Sequence, residues 1–546
     1  MSTFAPPLEP IPDCRVPGQR TPDRRKRLAA APIDASPAPV TGWRRAAIDF
    51  VLVGGTEVIC QVLSVAAGLV LRVVLSPAEM GVWQGLKLLL GYGNYANLGI
   101  SKGAAREFAV ARGRQDTTDA QRSLSLAFTV NTLSSVVFAA ALVAISAWVG
   151  ASSTGAWSGA WALGLVVVGA MAIIGRYTTF HVTILRAAQA FHVTSQLSIL
   201  EAALTLVVCG LAAWCCGLVG LYAGTLVVLL ATVLFINRRR AVQLSWGWDT
   251  AEIRRLIGIG GPILLAGTVS TLFRSLDKLM ILGYLEDREF QLGCYSLALM
   301  VTTQLYGIGN MVSVVMGPRL SEKFGHSGSR NDVALLTART TEVQAAVVAL
   351  PAALAVVLAP VVLGRLLPEY QSGLAPVEYL VPGVIGLALA LPATQYLVAV
   401  DRQGWALATV VVATLLAAGG NHAALRGGYG LTGVAAVTAI SYVVYWLLTM
   451  FVSVWPELTR PQRVRYFSVP LLAVLPPLVV AFLAQRLFPG IERAWSLAAA
   501  KAAVVLAVWA FVVVLGWRYG GWRVMLRKKQ PGASTVCCGD RDDTAP

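Results

Sequence analysis

Residues 48–74 read IDFVLVGGTEVICQVLSVAAGLVLRVV, an apolar run interrupted by only three ionisable side chains, Asp49, Glu57 and Arg72. About 20 such residues in a helix cross the hydrocarbon of a bilayer. Comparable runs follow at 80–100, 123–149, 157–178, 197–216, 218–236, 256–283, 292–316, 342–363, 377–399, 405–425, 430–452, 467–487 and 497–516. The composition agrees with a lipid environment. Of 546 residues, 56% are hydrophobic and 13% charged, with a mean hydropathy of +0.67. A soluble domain carries about 25% charged residues to wet its surface, so this chain cannot coat a soluble globule of its size. The fold expected is all-α: a polytopic membrane protein of about 12–14 spans.

The net charge of +16 has its first explanation in topology rather than in nucleic-acid binding. With the N-terminus inside, the segments 1–47, 101–122, 176–196, 237–255, 317–340, 401–404, 455–466 and 517–546 are cytoplasmic and hold 34 of the 44 Lys and Arg residues. The opposite orientation would put the Arg238-Arg239-Arg240 run and the Arg527-Lys528-Lys529 run outside. Both termini are therefore expected in the cytoplasm. Residues 1–47, with nine prolines before residue 42 and the cluster Arg24-Arg25-Lys26-Arg27, read as a disordered basic tail. They hold no apolar core of secretory type. Residues 517–546 read as a second tail.

Several functions are disfavoured at once. The outward connections are short, so a glycan polymerase or acyltransferase lacks the large outer loop that would carry its site. His181, His192, His326 and His422 show no metal-ligand spacing, and neither a metal nor a cofactor is expected. Of the eight cysteines, Cys14, Cys537 and Cys538 fall in the tails and most others in spans. None is assigned a role.

An internal repeat organises the spans. Gly54-Gly55 and Arg72 in the first span recur as Gly260-Gly261 and Lys278 in the seventh, each 206 residues on. Gly81-Val82-Trp83 recurs as Gly293-Cys294-Tyr295, 212 residues on, with the difference absorbed by the loop at 284–291. The organisation expected is a six-helix lobe at 48–240, a second at 256–452, and a two-helix hairpin at 467–516. Each lobe has an even number of spans, so both insert in the same direction. Their pseudo-twofold axis then runs along the membrane normal, and a central cavity lies between them.

Charges inside spans carry the functional signal, because each costs about 2.5–3.5 kcal/mol at the bilayer centre unless it faces a cavity or a partner. In Thr271-Leu-Phe-Arg274-Ser-Leu-Asp277-Lys278 the three ionisable groups are three and four residues apart, spacings that are expected to put all three on one face of the helix, within reach of one another. An Arg274–Asp277 pair would fasten helices, whereas the excess positive charge suits an anion. Lys87 follows Gln84 on a polar second span and reads equally as a cavity residue or as a snorkelling one. Glu57, four residues before Gln61, is a candidate counter-ion or proton carrier. Arg72 reads as an interfacial anchor. Arg176, His181 and Arg186 read as the basic side of a helix extending into the cytoplasm or along the interface.

The stretches Ser76-Pro-Ala-Glu-Met-Gly-Val-Trp83, Tyr92-Gly-Asn-Tyr-Ala-Asn97-Leu-Gly-Ile-Ser-Lys102-Gly-Ala-Ala-Arg106 and Ala111-Arg-Gly-Arg-Gln-Asp116 resemble the second-helix and inner-loop pattern of bacterial polysaccharide transporters. Arg274-Ser-Leu-Asp277-Lys-Leu-Met-Ile-Leu-Gly283, Leu292-Gly-Cys-Tyr295 and Gly317-Pro318-Arg319-Leu320 follow in the order of the same pattern. Over about 48–452 the chain thus resembles the Wzx-type flippases of the MOP (multidrug/oligosaccharidyl-lipid/polysaccharide) superfamily, although its long N-terminal tail departs from them. The resemblance implies a non-enzymatic transporter in the bacterial inner membrane, moving an undecaprenyl-pyrophosphate-linked oligosaccharide from the inner to the outer leaflet for O-antigen or exopolysaccharide synthesis. It implies membrane lipids, a polysaccharide polymerase and a chain-length regulator as partners, and no nucleic acid. On this reading Arg274, Lys278 and Lys87 hold the pyrophosphate, and Asp277 or Glu57 exchanges a proton or sodium ion. The alternatives are a cation-coupled multidrug extruder of the same superfamily, a peptidoglycan-precursor flippase and a membrane glycan polymerase.

Overall fold

A computed structural model describes residues 43–113, 117–152, 157–187, 190–239, 246–487 and 495–519. The tail before residue 43, the tail after residue 519 with Cys537 and Cys538, and Arg240 lie outside the described residues. The apolar runs named above are helical, except that the run at 80–100 breaks after Gly93 into a turn over 94–99. The first group comprises α1 (Trp43–Val74), α2 (Pro77–Gly93), α3 (Ile100–Gly113), α4 (Thr117–Ser152), α5 (Ser158–Ala187), α6 (Phe191–Leu204) and α7 (Gly210–Arg239). The second comprises α8 (Thr250–Tyr284), α9 (Arg288–Ser327), α10 (Arg330–Leu366), α11 (Leu374–Ala399), α12 (Gln403–Arg426) and α13 (Gly430–Ser453). α14 (Arg460–Leu487) and α15 (Trp495–Tyr519) complete the chain.

Ten helices among the described residues are long and apolar enough to cross a membrane, or eleven with the bent α8. One of the ten, His192–Arg238, is twice the necessary length and reverses direction. Cys216 and Gly217 leave helical geometry, Gly217 at a φ of 57°, a value that favours glycine. A Cβ on Gly220 would then lie 1.8 Å from the Ala212 carbonyl, a meeting that a straight helix forbids. α2, only 17 residues long, and α9 fall outside the ten, and the two pack against each other.

The α1–α2 and α8–α9 turns lie at one end, called here the hairpin end. There Ser76 caps α2: its hydroxyl accepts from the Glu79 N–H, the Glu79 carboxylate accepts from the Ser76 N–H, and Pro77 fills the first helical position. The repeat becomes a reciprocal contact at this end. A Cβ on Gly81 would stand 1.7 Å from the Glu289 carbonyl oxygen, and one on Gly293 would stand 1.7 Å from that of Pro77. Gly81 maps onto Gly293 and Pro77 onto Glu289 by the same 212 residues. The two helices cross between these contacts, backbone against backbone. Tyr370 closes the same end by donating to the Leu75 carbonyl at 2.8 Å, and Trp161 donates to Glu289 at 3.0 Å.

At the opposite end, α3 and the turn before it meet α8, through Gly103 on Leu256 and Gly99 on Gly260. Two ion pairs flank this seam, Arg255–Glu107 at 3.1 Å and Arg122–Asp249 at 2.5 Å.

Prolines inside α10 and α11 free carbonyls that glutamines recover. Pro392 lacks the N–H that would bond Ala388, and the Gln344 amide donates to that carbonyl at 2.7 Å. Pro360 likewise frees the Val356 carbonyl, which accepts from Gln485 of α14 at 3.1 Å. Arg465 grips Glu342 with two bonds of 2.9 and 3.0 Å, and Trp509 donates to Ala346 at 2.8 Å. These bonds dock the α14–α15 hairpin on α10.

Candidate functional site

Between α2 and α9 lie two adjoining cavities. The first, of about 290 Å³, is lined by Gln84, Lys87, Leu88 and Gly91 of α2, Thr271, Arg274, Ser275 and Lys278 of α8, Leu299, Thr302, Thr303 and Tyr306 of α9, Val384 and Leu387 of α11, and Tyr442 of α13. The second, of about 300 Å³, shares Gln84, Lys87, Lys278, Leu299 and Thr303 and adds Ser64, Gly68 and Arg72 of α1 with Ser296 and Met300 of α9. Among the described residues lining them none is Asp or Glu.

The three expected cations therefore meet in one place. Lys87 lines both cavities, with its ammonium 5.5 Å from the Trp83 ring centroid. Arg274 is exposed to the first cavity, its Nε donating to the Ser270 carbonyl at 3.3 Å and its guanidinium 5.3 Å from the Tyr306 ring centroid. Lys278 lines both. The wall beside them is hydroxyl-rich. Tyr92 and Ser275 share a hydrogen bond of 2.6 Å, and Tyr95 bonds Thr271 and the Gly267 carbonyl, tying α8 to α2 and its following turn.

The two acids do not join the cations. Successive helical residues turn by about 100°, so Asp277 points about 60° away from Arg274 and about 100° from Lys278. Its carboxylate is buried, accepting from the Tyr295 hydroxyl and the Lys278 backbone N–H, both at 2.8 Å. It forms no ion pair with Arg274 among the described residues. Glu57 lies on an exposed stretch of α1 and lines neither cavity.

Two arginines differ from their sequence readings. Arg72 is 6% exposed and bridges the groups, so it is not an interfacial anchor. Its Nη2 donates to the Ser296 carbonyl at 2.8 Å and to the Ser296 hydroxyl at 3.1 Å, and its Nη1 donates to the Gly68 carbonyl at 2.8 Å. Only the repeat offset, which pairs it with Lys278, signalled this. Arg176 is buried and caps the Gly93 carbonyl at the end of α2, and His181, farther along α5, is buried against Tyr177 and Phe180, so neither belongs to a solvated basic face.

The family of polysaccharide biosynthesis proteins matches residues 74–369, more than half of the chain. The chain belongs to that family. No curated protein matches it in sequence. Among solved structures it resembles the lipid II flippase MurJ in an inward closed conformation, at 12% identity and a TM-score of 0.64, over 86% of this chain and 99% of the other. It resembles an inward-facing multidrug resistance MATE transporter of the MOP superfamily at 15% identity and a TM-score of 0.61, over 77% and 98%. A MOP transporter from Pyrococcus furiosus Vc1, described as having a binding pocket of reversed polarity, matches at 15% identity and a TM-score of 0.53, over 83% and 99%. The fold is thus that of the MOP transporters: an all-α, multi-pass membrane protein.

Proposed function

We propose that this member of the polysaccharide biosynthesis family flips an oligosaccharide linked to undecaprenyl pyrophosphate from the inner to the outer leaflet of the bacterial inner membrane, for O-antigen or exopolysaccharide synthesis. The observation that carries the reading is a cavity lined by Lys87, Arg274 and Lys278 with no carboxylate among its described lining residues. Three cations around a cavity in the membrane-spanning part of the fold, with the single buried Asp277 as the acid beside Lys278, leave an excess of positive charge that is costly unless an anion joins them. A pyrophosphate supplies that anion. Arg274 can grip its oxygens bidentately, while the two lysines act as point charges. The hydroxyl-rich wall of Thr271, Ser275, Thr302 and Thr303 offers partners for sugar.

The two helix groups then act as lobes in alternating access. The count of basic residues puts the hairpin end outside and both termini in the cytoplasm. Of the two acids, Asp277 adjoins the cavity wall and retains the coupling role with a proton or sodium ion. Glu57 stands apart from the cavity and is the weaker candidate. A multidrug extruder for organic cations would need carboxylates where this cavity has cations, and a peptidoglycan-precursor flippase would share the anion site.

The test is reconstitution of the full chain in vesicles with the lipid-linked oligosaccharide, followed by its appearance in the opposite leaflet. Arg274→Ala and Lys278→Ala should each abolish flipping at unchanged protein level. Full transport by both variants would sink the proposal.

A further inference from the structure

Arg72 is more than a tie between helix groups. Its guanidinium is almost completely buried, it lines the second cavity with Lys87 and Lys278, and its three bonds to oxygen all go to neutral acceptors. Its remaining neighbour on Nη1 is the Met300 sulfur at 3.3 Å, a weak acceptor. Its Nε is buried without a hydrogen-bond partner. Helix-to-helix bridging needs no net charge, and a neutral amide would bond the Ser296 carbonyl equally well. A buried cation with one unmet donor and no carboxylate beside it has the makings of an anion ligand.

We infer that Arg72 is a fourth cation of the headgroup site, bound to Ser296 in this conformation and given over to the phosphate of the lipid-linked cargo when the helices part at the hairpin end. The inference rests on the proposed flippase reading and adds to it a regulation. Parting α1 from α9 strips Arg72 of both Ser296 oxygens, leaving Gly68 of its own helix as the one protein oxygen it keeps. A phosphate entering between Lys87 and Lys278 supplies replacement oxygens with full charge. Opening at that end is then favoured when cargo is bound and opposed when the cavity is empty, which keeps the empty protein from leaking. The repeat fits this division of labour. Arg72 is the mate of Lys278, and Ser296 is the mate of Gln84, so one copy faces the cargo at all times and the other only after release.

The probes are undecaprenyl pyrophosphate, undecaprenol and inorganic pyrophosphate, each titrated against the full chain in detergent, with the ligand-induced rise in Tm as readout. Undecaprenyl pyrophosphate should stabilise the parent protein and undecaprenol should not. Arg72→Gln should weaken binding of the pyrophosphate lipid by about tenfold or more, the loss of one charge-assisted interaction. Arg72→Lys should recover most of it. A merely structural role would lower Tm equally with and without ligand and leave the ligand-induced rise intact, overturning the inference. Stabilisation by inorganic pyrophosphate alone would overturn the assignment to a lipid headgroup. The Arg274→Ala/Lys278→Ala double variant separates the two levels. If it binds the lipid like the parent, the headgroup cavity itself is wrong. If it loses binding while Arg72→Gln keeps it, only the role of Arg72 falls.

Discussion

Replacing Gly293 by alanine puts a methyl group 1.7 Å from the Pro77 carbonyl oxygen. Neither partner is a flexible side chain, so backbone must move. Ordinary contact lies near 3.2–3.5 Å, which requires α2 and α9 to separate by about 1.5 Å at their crossing. Overpacking of this kind costs about 1–3 kcal/mol. Gly81→Ala meets the Glu289 carbonyl at the same 1.7 Å and should cost a similar amount. Both contacts lie on one interface, so a single separation relieves both. The Gly81→Ala/Gly293→Ala double variant should therefore lose little more than either single variant, giving a coupling energy of about 1–2 kcal/mol in a double-mutant cycle. Thermal unfolding of the detergent-solubilised protein measures each corner of the cycle. Strict additivity would refute the shared crossing, and a stability loss below about 0.5 kcal/mol for both singles would refute the backbone contact itself.

The proline-glutamine pairs give a second cycle: Gln344→Leu leaves the Ala388 carbonyl buried and unpaired, at about 1–3 kcal/mol, and the loss should shrink in a Pro392→Ala background, where a helical N–H returns to that carbonyl. Unfolding midpoints of the four proteins check it. Gln485→Leu should loosen α14 from α10 without affecting the Gln344 site, which faster hydrogen exchange of the α14 amides would register. Asp249 accepts from the Glu252 N–H, pairs with Arg122 and bonds the Ala251 N–H, and these contacts hold its carboxyl below the usual aspartate range. A depressed carboxyl pKa contributes stability above the unfolded value and loses it as pH falls through the folded one. The Arg122–Asp249 link should thus stay intact between about pH 5 and 8 and weaken in stronger acid. The acid limb of a Tm-against-pH curve should be shallower for Asp249→Asn than for the parent.

The sequence made the helices legible because lipid demands length and apolarity, and the one run that breaks, 80–100, does so where Gly93 and Gly99 bracket a turn. It made the cation cluster legible because a charge in a span has few places to go. Spacing alone did not reveal direction. Arg274, Asp277 and Lys278 are close along the helix, yet the rotation between them sends Asp277 to Tyr295 and the two cations to the cavity. Position near a span end misplaced Arg72 for the same reason, since depth in the membrane does not say which face a side chain occupies. The glutamine caps were half-legible. A proline at 392 or 360 announces a freed carbonyl four residues earlier, but Gln344 and Gln485 come from other helices, and only packing chooses them.

The repeat is informative where it fails. Gly260 packs against Gly99, while its mate Gly54 has open space around it, and Arg72 is bound across the interface where its mate Lys278 lines both cavities. A perfectly symmetric cavity would offer a single anionic headgroup two equivalent poses, each using half of the available cations. Divergence of the copies removes the tie. Lys87 and Arg274 have no basic mates: the positions 212 residues after Lys87 and 206 before Arg274 are Leu299 and Gly68. Lys87, Arg274, Lys278 and Arg72 thus line the two adjoining cavities without following the repeat, and on the proposed reading one headgroup can engage several of them in a single pose. On the proposed flippase reading, the mismatch between the two copies of the repeat suits a cargo that has no symmetry of its own.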